Sequence, residues 1–304
     1  VYQQFNPKGI FNYASTDISV EYNYNLQTGK PTGVGLNAFS FLQFRNFWNA
    51  FIGMEIAPVD IYDYFEPRVD GRVFLRTKIA NLFLGINTNN NKKISSGFDL
   101  YMGSTGVISP TQPRNPWIGG GIRLSWRASD RFNTTAIFNV NTDWGDRGWV
   151  NQEEDGTIVF GRRNIRDIIG TFQASYVFTN RMSLNLTARH YWATGNYTSY
   201  YVLQEDGTLN DYVTYEGNHD FSFNSINMDV VYQWIFAPGS ILSVAYKLNT
   251  MNEESVINYS YKYNFNTTMQ SPQLNQVSVR VLYYLDYQYI TSALKRRKQR
   301  PGYF

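Results

Sequence analysis

The sequence holds no cysteine, only two histidines, and no apolar run long enough for a helix to cross a membrane. Each lack removes a class of protein. Without cysteine there is no disulfide, no thiol nucleophile and no cysteine-built zinc site. A helical span needs roughly 20 consecutive apolar residues, whereas polar residues interrupt every hydrophobic stretch here within a few positions. Helical membrane topology is therefore excluded. Charge is sparse as well, at 17% of 304 residues with a formal net value of +3. Its most visible source is the run Lys295, Arg296, Arg297, Lys298 and Arg300, which reads as a solvated tail, so no nucleic-acid partner is expected. No initiator Met and no signal-peptide pattern stand at Val1, and the expectation is a mature or truncated chain.

Aromatic residues, by contrast, make up 17% of the chain, with 24 Tyr, 21 Phe and 7 Trp, while the mean hydropathy is −0.39. Apolar bulk combined with a polar average suits a transmembrane β-barrel, which shows lipid only every second residue. The order of residues supports this. Val277, Val279, Val281, Tyr283, Leu285 and Tyr287 alternate with Ser278, Arg280, Tyr284 and Asp286. The same two-residue period runs through Ile18 to Tyr24, Ile118 to Trp126, Phe172 to Phe178, Leu184 to Trp192, Ile226 to Trp234 and Leu242 to Leu248. It is less clear from Val34 to Phe44 and from Arg72 to Ile86.

Counting such segments predicts about twelve strands. Tight links at Arg45 to Asn46, Asn89 to Asn91, Ala128 to Arg131, Thr179 to Arg181 and Ala237 to Ser240 alternate with longer ones. The longer links lie around Asp60 to Asp70, Ser109 to Asn115, Asp143 to Asn164, Thr194 to Asp220 and Asn252 to Pro272. Outer-membrane barrels keep their short turns periplasmic and their long loops outside, so both termini are expected in the periplasm. Two long links share Glu-Asp-Gly-Thr, at 154–157 and 205–208. Asp-Gly favours a type I′ turn, so these links are expected to be hairpins rising beyond the membrane. Trp48, Trp126, Trp192 and Trp234 fall near strand ends on the outward parity, where aromatic rings anchor interfaces.

No catalytic, cofactor or metal site is assigned. His190 takes the outward parity of its strand and is expected at the lipid headgroup level. His219, beside Asp220, is the only local candidate for a hydrolytic acid–base pair. The acidic groups Glu153, Glu154, Asp155 and Asp60, Asp63, Glu66 lack calcium-loop spacing and read as solvated loop charge. Gly119, Gly120 and Gly121 sit inside a predicted strand and suggest a bulge or bend. Parity places Glu21, Glu55, Asp99, Asp229 and Asp286 in the lumen with Arg123, Arg127, Arg189, Lys247 and Arg280. That mixture of signs favours a filled or weakly selective interior.

Several stretches also carry a resemblance. Phe5 to Tyr13, Phe44 to Trp48, Tyr62 to Arg68, Phe160 to Arg163, Ala188 to Trp192, Trp234 to Ser240 and Val279 to Asp286 are similar to the C-terminal barrel region of a group of Gram-negative outer-membrane proteins. In that group a module like the family-nine carbohydrate-binding domains precedes a barrel domain of unknown function. The resemblance implies further strands upstream and an absent N-terminal module, and it implies no site residue.

The expected fold is an all-β, antiparallel, transmembrane outer-membrane barrel over residues 1–294, alone or as part of a larger barrel, with a basic periplasmic tail over 295–304. Expected partners are membrane lipid, lipopolysaccharide and other outer-membrane or periplasmic proteins, without cofactors. The preferred role is non-enzymatic, anchoring or cooperating with an envelope module or larger complex in a carbohydrate-related task. A passive or ligand-gated channel and an outer-membrane hydrolase stand as alternatives. If the first strand near Ile18 does not pair with the last near Val281, the wall needs strands from elsewhere.

Overall fold

The structure is a computed structural model in which residues 1–27, 29–106, 114–285 and 291 are described. In chain order the elements are β1 (Tyr2–Gln4), β2 (Phe11–Tyr24), β3 (Pro31–Phe44), β4 (Asn49–Ala57), β5 (Ile61–Asp63), β6 (Phe74–Arg76), β7 (Ile79–Asn87), β8 (Ile94–Thr105) and β9 (Asn115–Arg127). There follow β10 (Phe132–Gln152), β11 (Ile158–Thr179), β12 (Met182–Leu203), β13 (Leu209–Asp211), β14 (Phe221–Ala237), β15 (Ser240–Glu254), α1 (Tyr261–Gln270) and β16 (Gln273–Leu282).

One antiparallel sheet carries the chain in the order β1-β2-β3-β4-β7-β8-β9-β10-β11-β12-β14-β15-β16, with β13 branching from β12. Leaving aside the three-residue β1 and β13, twelve long strands form this wall, as the sequence predicts. The two less clear stretches resolve as β3 and as the pair β6 and β7. Among the described residues, no helix is long and apolar enough to cross a membrane.

Alternation holds across the full width of the sheet. One continuous row of paired residues reads Ile86, Phe98, Ile122, Phe138, Gly170, His190 and Ile226. The neighbouring row, on the other face, reads Asn87, Gly97, Arg123, Ile137, Thr171, Arg189 and Asn227. A one-residue slip would exchange the two faces. On the apolar face Ile122, Leu124 and Phe138 remain about half exposed, so this face has no protein layer over much of its area.

On the polar face, aromatic rings lie over glycines of the adjacent strand. Phe51 pairs with Gly85 and Phe83 with Gly53, so β4 and β7 interlock reciprocally. A Cβ at either glycine would overlap the opposing ring. Tyr101 and Asn141 cover Gly119 in the same way, Trp117 and Asn81 cover Gly103, and Phe221 covers Gly195. The glycine run 119–121 is therefore neither bulge nor bend: its register with β8 and β10 is unbroken. Absence of side chains there makes room for the neighbours' rings and amides.

The wall does not close among the described residues: β16 pairs with β15 alone, and β2 beyond its short pairing with β1 has only β3. The expected strand to Tyr287 stops at Leu282, and the Tyr284 N–H donates instead to Ser240 Oγ at 3.0 Å. Asp286, Tyr287 and the basic tail lie outside the described residues.

β10, β11 and β12 have 21, 22 and 22 residues, about twice the 9–11 that a tilted strand needs to cross a bilayer. The link expected from Asp143 is thus largely strand, and the one from Thr194 continues as strand to Leu203. Their tips are not type I′ turns. The Gly156 N–H donates to Glu153 O at 3.0 Å, so the central residues are Glu154 and Asp155, and only Gly156 takes positive φ, +90°. The tip at Gly207 repeats this, with φ +88° and Gly207 N–H to Gln204 O at 3.2 Å. Both are type I turns closed by a left-handed glycine, and Asp155 and Asp206 accept the N–H of Thr157 and Thr208.

Against these raised strands folds the β5–β6 hairpin. Phe74 packs on Phe160 with ring centroids 4.8 Å apart, and both join Ile158 and Leu203 in a small dry core. The backbone is tied in too, through Leu75 N–H to Gly207 O at 2.8 Å.

The helix is an element that alternation does not foresee. α1 lies on the apolar face, over Ser222, Asn224 and Thr250, which have the outward parity of Ile226. The expectations for His190 and Trp192 are corrected by the same fact. Both take the outward parity, but α1 covers them, leaving them only 6% and 3% exposed. Trp48, Trp126 and Trp234 remain open, at 39%, 52% and 39%.

Candidate functional site

The polar face carries two adjoining clefts that share Tyr101. One, of about 430 Å³, is lined by Phe51, Phe83, Asp99 and Arg123. The other, of about 410 Å³, lies near Arg76 and is lined by Trp117, Asn141, Asp143 and Asp167. Glycines make this space: with Gly97, Gly119 and Gly121 on the face, larger neighbours can lie flat along the wall.

A hydrogen-bonded chain crosses the floor. The Tyr101 hydroxyl donates to Asn141 Oδ1, and Asn141 Nδ2 donates to Asp167 Oδ2 at 2.6 Å. Asp143 Oδ1 and Asn115 Oδ1 are buried without a partner. A buried acceptor left unpaired costs about 1–3 kcal/mol, so the second cleft suits a solute that brings donors, hydroxyl or ammonium. Among the described residues, no group of three or more His, Asp or Glu side chains is placed to hold a metal ion.

An ion-pair knot borders this cleft. Arg76 Nε donates to Asp63 Oδ2 at 2.8 Å and Arg76 Nη2 to Glu66 Oε2 at 3.2 Å. Glu66 Oε1 accepts the Trp149 N–H at 2.9 Å, which fastens the β5–β6 hairpin to β10. Arg163 binds Asp146 and donates to Tyr197 Oη at 3.0 Å. Asp63 and Glu66 are therefore structural ligands of Arg76, not the solvated loop charge expected.

Burial alone would raise the Asp63 carboxyl, but the N–H of Glu66, the Arg76 guanidinium and the N–H of Phe65 outweigh it and hold the group below its ordinary 3.8. A carboxyl depressed by folding contributes stability above its unfolded value and loses it as pH falls through the folded one. The hairpin should thus stay docked at neutral pH and loosen only below pH 3.8. Hydrogen exchange over residues 61–76 from pH 6 to 2.5 measures this; loosening already above pH 5 would contradict it.

His219 and Asp220 do not form an acid–base pair. His219 Nε2 is 2.7 Å from Tyr215 Oη, inside a cluster with Tyr197 and Tyr200 whose ring centroids lie 5.9 Å away. The Asp220 oxygens accept from Asn196 Nδ2 at 2.9 Å and Tyr197 N at 2.6 Å. Asp220 holds β12, and nothing in this arrangement orients a nucleophile.

Sequence parity places Asp99, Arg123, Arg189, Asp229 and Lys247 on the polar face, and the structure puts Asp99 and Arg123 in one cleft and Lys247 3.3 Å from Asp229. It misses Tyr101, Asn141 and Asp167, because residues on three different strands meet only once the register between distant segments is known.

A wide antiparallel wall, one face apolar and one polar, with short links on one side and long ones on the other, defines the outer-membrane β-barrel class of fold. The chain belongs to the family described as "Domain of unknown function (DUF5916)", whose model matches residues 1–294. The copper transporter OprC has a similar fold at TM-score 0.51 and 10% identity, covering 88% of this chain and 40% of that one. The chain thus spans less than half the length of that transporter. The Pseudomonas putida toluene transporter TodX aligns at 12% identity and TM-score 0.26, over 79% of this chain and 83% of that one. No curated protein sequence matches the chain.

Proposed function

We propose that the chain is a wall of an outer-membrane β-barrel that performs no chemistry itself and serves a larger envelope assembly. The reading rests on one observation: an apolar face, polar only where α1 covers it, across a sheet whose two outer edges have no strand partner among the described residues. In hydrocarbon, each unpaired backbone group costs several kcal/mol, so such edges call for additional strands. The envelope module implied by the resemblance, and carbohydrate as the material handled, belong to this proposal as its finer part. Lipid and lipopolysaccharide are its surroundings, the long links face outward and the termini lie in the periplasm.

A second reading, a weakly selective channel, draws on the two clefts and the mixed charges of the polar face. It predicts ion conductance by the full polypeptide in planar bilayers.

The primary test is cell fractionation followed by protease treatment of intact cells. The protein should sediment with the outer membrane, and cleavage should fall at the tips near Gly156 and Gly207 while the tail from Lys295 is spared. Recovery in the soluble periplasm would overturn the membrane reading, and cleavage of the tail alone would invert the sidedness.

A further inference from the structure

Of the two clefts on the polar face, the one near Arg76 carries charge that its own residues do not balance. Its volume, about 410 Å³, lies within the roughly 300–1,000 Å³ that encloses a small ligand. The adjoining cleft is lined by one acid, Asp99, and one base, Arg123. Here three carboxylates, Asp143, Asp146 and Asp167, share the lining with a single cation, Arg76. Arg163 neutralises Asp146, and Arg76 is already held by Asp63 and Glu66. Asp143 and Asp167 are left without an ion-pair partner among the described residues.

Register brings these two carboxylates together. Asp143 pairs with Ile165 and Asn141 with Asp167, so the two acids are diagonal neighbours on one face of β10 and β11, about 7–8 Å apart at the backbone, and one cation can bridge them. Each keeps an oxygen for the cleft. Asn141 Nδ2 donates to Asp167 Oδ2 at 2.6 Å and leaves Oδ1 free. Asp143 Oδ1 is buried, while Oδ2 is neither buried nor bonded. Aromatic rings stand beside them: Trp117 is the direct partner of Asp143 on β9 and lies over Gly103, and Tyr101 lies over Gly119.

A cation is attracted both by paired carboxylates and by the faces of aromatic rings. A divalent metal fits less well, since no group of three or more His, Asp or Glu side chains is placed to hold one among the described residues. A neutral sugar would meet the rings but leave both charges uncompensated. We infer that this cleft binds a primary organic ammonium, its nitrogen between Asp143 Oδ2 and Asp167 Oδ1 and its hydrocarbon body against Trp117 and Tyr101. The inference goes beyond the wall reading above, which assigns no solute to the polar face.

Cyclohexylammonium is the probe, and cyclohexanol, with the same ring and no charge, is its control. The full polypeptide, folded in a non-ionic detergent at neutral pH and low salt, should bind one cyclohexylammonium per chain in titration calorimetry and cyclohexanol at least tenfold more weakly. Asp143→Asn and Asp167→Asn, which remove charge without volume, should each weaken the ammonium at least tenfold and leave cyclohexanol as it was. Trp117→Leu should weaken both. Asp229→Asn lies on the same face but outside the cleft, where Asp229 is paired with Lys247, and should bind as wild type does, which separates a site from a diffuse field. Equal binding of cyclohexanol and cyclohexylammonium by the wild type would overturn the inference, as would tighter binding of glucose than of the ammonium. So would unchanged affinity in Asp143→Asn or Asp167→Asn with the heat-shifted gel mobility of the folded barrel retained. Fractionation away from the outer membrane would remove the wall reading and leave this one standing, so the two failures are distinguishable.

Discussion

Phe160→Ala should be the most damaging single truncation in the region beyond the wall, at about 3–5 kcal/mol for a fully buried aromatic. Phe160 is 0% exposed and touches Phe74, the residue that anchors the β5–β6 hairpin. Its neighbours Ile158 and Leu203 sit on separate strands and cannot collapse into the void without bending the raised hairpins. The expected result is local: residues 61–76 become sensitive to protease and lose exchange protection, while β7 to β10 keep theirs. Loss of the whole barrel from the membrane fraction would show that the cap and the wall fold as one unit, contrary to this account.

The second large effect is expected at Asn264. Its Oδ1 accepts from Ser222 Oγ at 3.2 Å and Asn224 Nδ2 at 3.0 Å, and its Nδ2 donates to Asn258 O and Ser260 O. Asn264→Ala leaves a hydroxyl and an amide on the apolar face without their acceptor, at about 1–3 kcal/mol for each. Protection of the α1 amides should collapse, and intrinsic His190 shielding with it. The triple change Asn264→Leu, Ser222→Ala and Asn224→Leu should recover much of the loss, because removing both sides of a buried hydrogen bond can be nearly neutral. Unaltered exchange over residues 261–270 in Asn264→Ala would refute the keystone role.

Much of the wall was legible in the sequence because a two-sided sheet imposes the same constraint at every residue. Parity alone assigns Ile122, Phe138 and Met228 to one face and Arg123, Asp229 and Lys247 to the other. What parity could not give is everything that depends on contact between distant segments. The β5–β6 hairpin hides behind a stretch, Arg72 to Ile86, that mixes a cap strand with a wall strand. The helix had a trace that was readable: His190, Thr194, Ser222, Asn224 and Thr250 all put polar groups at outward positions, which bare lipid would not tolerate. Such a cluster of exceptions predicts a cover, and the short polar-aromatic segment Tyr261 to Gln270 was the available one. The turn type departs from expectation for a local reason, since Asp-Gly serves equally as the last two positions of a type I turn closed by a left-handed glycine.

The rings laid over glycines have a consequence for how the strands find one another. A tight turn fixes which residue faces which, but a long link does not. β4 and β7 are joined by residues 58–78, β8 and β9 by 106–114, and β12 and β14 by 204–220. At those three junctions stand Phe51 on Gly85 with Phe83 on Gly53, Tyr101 on Gly119, and Phe221 on Gly195. Sliding β4 against β7 by two residues keeps every face correct, so hydrophobicity does not oppose it. In one direction, however, the slide sets Phe51 against Phe83, and in the other it sets Gly53 against Gly85 and leaves a hole. The glycines therefore act as keyways that admit a single alignment, proofreading the pairings for which the chain's own turns carry no information.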